Sequence, residues 1–415
     1  QDILNLAGYI VASGNTMMHF ERWATKIGLG KKEAISSQRI SELFARIDIN
    51  SINDFLTRWW QIHSQDQSFL IYDVTSMSTD AKNITKALKG YNRDKEMKSQ
   101  INLGLIIGEQ NELPLGYVTY AGSINDKTYF PFVNDIVEDI SSSQVTWVFD
   151  QGFQDNSYFK ELDKKGIKFL TTMPRNLKLY GELVEEALQK GMTPHYFIDM
   201  KESGARGYTR ESNLYGLKLQ THIIFDPEKK AVQDESQRRL AISNDKNLSD
   251  LKKNKGKITP SNRRYYTVEM YSETDFSYSF NVEEYASDER KNGFFIYMTN
   301  YQYMDLKKTN VIYRRKDLVE QSFDCYKNDL GFRRLKTHND ETTRGKTFVG
   351  FIALILRLLM TKTLKTKERT KYLTVAQCIN YLIDINVYQG NKKSSIEPLS
   401  SLQKDIYSSA NIEIK

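Results

Sequence analysis

Apolar residues recur at helical spacing through the first stretch of the chain. Ile40, Leu43, Phe44 and Ile47 form one such set, and Phe55, Leu56, Trp59 and Trp60 form a second. They predict a small helical segment over residues 1–66. The period then changes. Residues 68–74, 101–107 and 115–120 are rich in β-branched and aromatic side chains and are bounded by Gly, Pro, Asn or charge, which predicts three strands, the last two joined as a hairpin by a turn at 109–114. A helix at 129–140, a buried strand at 145–149, a helix at 156–164 and a strand at 167–172 follow, the last closed by Pro174.

The order is therefore three consecutive strands, then two more, each reached through a helix. It predicts an α/β fold: a mixed five-stranded sheet with flanking helices, the arrangement of ribonuclease H-like folds. Between 175 and 291 the character shifts to charged loops and tyrosine-rich strands at 265–271 and 276–282, which predicts a β-rich insertion. Helical pattern resumes at 311 and continues through an apolar helix at 347–360 and another at 375–385. The expected divisions are thus an incomplete helical segment (1–66), the first part of the core (67–174), the insertion (175–291), the second part of the core (292–390) and a loose polar tail (391–415).

Composition narrows this picture only modestly. At 415 residues, 40% hydrophobic and 27% charged, the chain is ordinary for a globular protein, which excludes disordered, collagenous and disulfide-stapled classes. Cys325 and Cys378 are too few for a Cys-rich zinc site or a disulfide framework, and they predict buried thiols in a reducing, intracellular compartment. The longest apolar run, 348–360, contains Arg357 and falls short of the roughly 20 residues of a membrane span, so no membrane partner is expected. The chain begins at Gln1 without a signal-peptide layout and reads as a fragment. Net charge is +7, from 59 basic and 52 acidic residues. Its clustering at 252–264, 313–334 and 362–371 suits either a phosphate backbone or a solvated face.

Elimination limits the available chemistry. His19, His63, His195, His222 and His338 form no i, i+4 pair, so a zincin motif is absent. Arg344-Gly345-Lys346-Thr347 looks like the end of a phosphate-binding loop, but Asp340 stands where its first glycine should be. No G-x-S-x-G elbow occurs. Carboxylates remain. Asp73 lies in FLIYDVTS (69–76) and Asp150 in VTWVFDQGF (145–153), each read as the end of an apolar strand, where open α/β sheets collect ligands. Such an Asp also serves as an ordinary turn or helix cap.

A third carboxylate falls in the predicted helix 313–327. Lys316, Glu320 and Lys327 follow Tyr313 by 3, 7 and 14 residues, so at about 100° per residue all four share a sector of about 60°. Taken alone, such a face is equally an exposed surface laced with ion pairs.

The spacing resembles the signature of the DDE transposases of the insertion sequence 4 family: Tyr, two residues, Arg, three residues, Glu, six residues, Lys. Lys316 replaces the usual Arg. The resemblance extends to YDVTS (72–76), to VFDQGF (148–153), to GFFIYMTN (293–300) as the strand returning from the insertion, and to the apolar helix after Arg344-Gly345. It spans about 68–360, and the segment around Asp73 looks most like the insertion sequence 1634 subgroup. What the resemblance implies is a DNA transposase of an insertion sequence, cleaving element ends and transferring strands to target DNA by a cut-and-paste route. Asp73, Asp150 and Glu320 would hold two Mg²⁺ ions, with Mn²⁺ able to substitute. Tyr313, Lys316 and Lys327 would bind phosphates at the cleaved end, with Arg314 and Arg315 as further DNA contacts. The expected partners are double-stranded DNA, both inverted-repeat ends and target, and a second copy in a DNA-bound homodimer, in the bacterial cytoplasm at the nucleoid. An insertion aromatic stabilising a flipped base is also implied, without a residue singled out. An inactive or truncated relative that only binds DNA, and a ribonuclease H-fold nuclease, are the alternatives.

Overall fold

The computed structural model describes residues 1–30, 32–64, 67–90, 98–141, 145–153, 156–191, 204–259, 263–389 and 394–412. The chain forms two compact units, one made of Gln1–Val148 with Arg315–Lys415 and the other of Phe149–Arg314. The expected boundaries at 66 and 391, and His195, lie outside the described residues.

The first unit opens with helices α1 (Asp2–Ser13), α2 (Phe20–Lys26), α3 (Ser37–Arg46) and α4 (Ile49–His63). Ser36 and Asp48 start α3 and α4 by accepting the Arg39 and Ser51 backbone N–H groups, as N-caps do. Strands β1 (Phe69–Thr79), β2 (Ser99–Gly108) and β3 (Pro114–Ala121), helix α5 (Asp126–Ile140) and strand β4 (Thr146–Val148) follow.

The second unit contains α6 (Asn156–Lys164), β5 (Lys168–Thr172), α7 (Lys178–Gln189), β6 (Arg206–Leu214), β7 (Leu217–Phe225), α8 (Pro227–Lys253), β8 (Tyr266–Met270), β9 (Phe276–Phe280), α9 (Val282–Arg290), β10 (Phe294–Thr299) and α10 (Leu306–Arg314). The chain then returns to the first unit through α11 (Asp317–Asp324), a π turn (Cys325–Asp329), α12 (Asp340–Leu364), α13 (Val375–Ile383), β11 (Val387–Gln389), β12 (Ser394–Ile396) and α14 (Ser401–Ser409).

In the first unit the strand order is β3-β2-β1-β4, with β1 antiparallel to β2 and parallel to β4. Helix α11 packs against β1 and β2, while α12 packs against α1 and α3. At 25 residues α12 is longer than its apolar run and is apolar enough to cross a membrane by length and composition. Phe348, Val349, Phe351 and Leu354 on it are nevertheless buried. Gly345 permits the α3 crossing, because a Cβ there would run into the Phe44 carbonyl oxygen.

In the second unit the order is β5-β10-β7-β6, with β10 antiparallel to both neighbours and β6 paired to β7 as a hairpin. Apart from the separate pairs β8-β9 and β11-β12, these two runs hold four strands each, eight in all, which corrects the five-stranded expectation. β7 was hidden by its polar letters: Thr221 and His222 are fully buried, and a buried polar residue is indistinguishable in sequence from an exposed one. The β-rich description of 175–291 is corrected too, since that stretch carries α7, the 27-residue α8 and α9 beside its strands. The loose tail likewise gives way to β12 and to α14, which a Ser400–Gln403 capping box starts and which packs on α12 and α13.

Candidate active site

Asp73 is the one position of β1 that is not fully buried. The strand does not end there, as the sequence suggested, but runs on to Thr79. Thr75 and Ser76, which read as a polar exit from the strand, are buried strand residues, as are Ser78 and Thr79 beyond them. A carboxylate in the middle of a central strand, opposite Leu105 of β2, cannot be explained as a turn cap. Its charge is felt next door. Burial pushes the Tyr72 phenol well above its ordinary range, and the Asp126 and Asp73 carboxylates add to that rise.

Asp150 does follow the end of a strand. Its Oδ1 accepts the Gln151 N–H at 2.8 Å at the start of a 3-10 turn, Gln151–Phe153. Ile71 of β1 and Val148 of β4 are partners across the parallel ladder. Asp73 stands two residues past Ile71 in the chain, and Asp150 two residues past Val148.

The expected continuous helix 313–327 is broken. α10 stops at Arg314 and α11 begins at Asp317, with Leu318 and Val319 donating to the Arg315 and Lys316 carbonyls at 2.9 and 3.0 Å across a tight turn. The π turn after Asp324 changes the winding again before Lys327. The single shared face is therefore corrected. Lys327 is buried, whereas the Glu320 side chain is 60% exposed. Lys316, whose side chain is only 12% exposed, reaches Glu320 Oε1 at 3.3 Å. Arg315 is turned to another task, pairing with the nearly buried Glu109 carboxylate and donating to the Glu109 carbonyl at 2.7 Å.

In the second unit Tyr313 packs on Tyr297 with tilted rings, centroids 4.7 Å apart, and its hydroxyl lies 3.2 Å from Thr172 Oγ1. Arg314 reaches Asp226 at 3.5 Å. The helix carrying both is anchored by a polar chain that runs through the buried His222 and Thr309. His222 Nδ1 lies 2.7 Å from Thr209 Oγ1, and its Nε2 lies 3.2 Å from Thr309 Oγ1 in α10. Burial holds that imidazole's pKa down at about 4.

Sequence reasoning meets Lys346 only in the rejected phosphate-loop pattern and gives it no role of its own. It is 2% exposed in α12, and its Nζ donates to the Lys336 carbonyl at 3.4 Å. Burial, with Lys336 adding, brings its pKa down to about 7. The one available signal was a lysine opening an apolar run. Arg333, Arg334 and Lys336, by contrast, are exposed on the segment that bridges to β1 at Ser78.

As acceptor-only hard oxygens, Asp73, Asp150 and Glu320 suit Mg²⁺ by donor chemistry. Among the described residues, no group of three or more His, Cys, Asp or Glu side chains is gathered so as to hold a metal ion. The donors fit a hard divalent cation in kind.

Residues 64–356 match the family model described as "Transposase DDE domain". No curated protein matches significantly. Among solved structures, the chain is similar to a cryo-EM structure of piggyBac transposase in a synaptic complex with hairpin DNA, at 11% identity, covering 98% of this chain and 70% of that one, with a TM-score of 0.42. A likeness that weak carries nothing further.

Proposed function

Since the chain belongs to the transposase DDE domain family, we propose that it is the DNA transposase of an insertion sequence, cleaving element ends and joining them to target DNA by a cut-and-paste route. The observation that carries this beyond the family is Asp73, a half-buried carboxylate in the middle of an otherwise buried central strand. A side chain that costs desolvation at such a place is retained for chemistry more readily than for packing. The spacing around Glu320 supports the finer placement in the insertion sequence 4 family and its 1634 subgroup.

Asp73, Asp150 and Glu320 would hold two divalent ions, Mg²⁺ or Mn²⁺. When bound, such ions supply neutralisation of the transferring phosphate and a lowered pKa for the attacking water or 3′-hydroxyl. The chain's own residues do the rest. Lys316 offers an ammonium beside Glu320 for a phosphate at the cut end, as a point charge instead of the bidentate fork an Arg would give. Arg333, Arg334 and Lys336 add exposed positive charge that positions DNA without reading its sequence. Tyr313 presents its hydroxyl from a helix fixed by the Thr209, His222 and Thr309 chain. Arg315 positions α11 through Glu109. The partners in this scheme are inverted-repeat ends, target DNA and a second copy of the chain, at the bacterial nucleoid.

The test is incubation of the full-length protein with its own element ends and Mg²⁺, followed by strand-resolved mapping of the products. Paired cuts at both ends, dependent on the metal, support the proposal. Intact DNA, or nicking without regard to the ends, contradicts it.

A further inference from the structure

Lys316 occupies the N-cap of α11 and makes no capping hydrogen bond from its side chain. Ser, Thr, Asp or Asn would serve that position, because each supplies an acceptor to the unsatisfied N–H groups of the first turn. A cation there also faces the positive end of the helix dipole. Its partner is placed the weaker way round: Lys precedes Glu by four residues, where the reverse order stabilises a helix better. Helix stability thus selects against Lys316 on each count, and conflicts of this kind fall at functional positions.

The two side chains of the pair are unequally held. The Lys316 side chain is nearly buried and so restricted in its rotamers, whereas Glu320 is mostly exposed and its carboxylate can turn. We propose that Lys316 is the resident counter-ion of Glu320, giving up that carboxylate when a divalent cation takes it, so that the released ammonium passes to a DNA phosphate. The proposal rests on the assignment of Glu320 as a metal ligand.

The exchange is testable without turnover, by titrating Mn²⁺ into the DNA-free full-length protein and following free Mn²⁺ by electron paramagnetic resonance. Lys316→Met should bind Mn²⁺ up to about fivefold tighter than the wild type, the scale of an exposed ion pair. Lys316→Arg, which keeps the charge, should not gain affinity, and Glu320→Gln should lose it. Thermal melts of each variant confirm that the comparison is between folded proteins. If Glu320→Gln binds Mn²⁺ as the wild type does, the ligand assignment fails and the proposal with it. If Glu320→Gln weakens binding but Lys316→Met does not tighten it, or if Lys316→Arg tightens it equally, the counter-ion role alone is overturned.

Discussion

One guanidinium nitrogen of Arg315 serves both the side chain and the main-chain carbonyl of Glu109, tying the start of α11 to the end of β2. The residue expected on DNA is therefore also a structural tie. Breaking a buried pair costs roughly 3–5 kcal/mol, but Arg315 is about a third exposed, and solvent screening lowers the expectation. Glu109→Ala should cost on the order of 2 kcal/mol, read from a denaturation midpoint. An unshifted midpoint would mean that the pair does not position α11.

Gly345→Ala should be destabilising by about 1–3 kcal/mol, more than a helix propensity gain can offset. The added methyl meets the Phe44 backbone, which cannot rotate out of the way as a side chain would. Thermal denaturation of this variant beside Gly8→Ala, where nothing lies within 4 Å, isolates the effect. Equal melting temperatures would contradict the close crossing of α3 and α12.

These two sites show how far the sequence was legible. The first three strands, the hairpin turn and helix α6 follow from apolar runs and turn residues, because the pattern there directly records burial. Asp73 was found for a partly wrong reason: YDVTS reads as a strand exit, yet Thr75 and Ser76 are core. The same blindness to buried polar residues concealed β7, with its Thr221 and His222. Arg344-Gly345-Lys346-Thr347 was read against a phosphate loop, whereas the glycine serves a helix crossing and the lysine is interior. The break at Arg315 and Lys316 coincides with the tie from Arg315 to Glu109, a partner distant in sequence that no local periodicity records.

Lys346 should make stability depend on alkaline pH. Its folded pKa is depressed to about 7 from 10.5, so between those values the unfolded chain holds a proton that the folded chain lacks. Stability should rise as pH increases from about 7 to 10.5, and the full cost of burying the amine should apply below 7. Lys346→Met, similar in volume and uncharged, should gain a few kcal/mol at pH 7 and flatten that rise. Urea denaturation at pH 7 and at pH 9.5 checks both. An unchanged slope in the variant would remove Lys346 as its source.

The most direct test of the catalytic assignment is strand-resolved cleavage of element-end DNA in Mg²⁺ by the wild type and by Asp73→Asn, Asp150→Asn and Glu320→Gln, with binding of the same DNA measured in parallel. Phosphate contacts come from basic groups, and the carboxylates serve only the metals. All three variants should therefore lose cleavage by at least about a thousandfold, while binding the ends within about fivefold of the wild type. Wild-type cutting by Asp150→Asn, or by either of the others, would contradict the assignment.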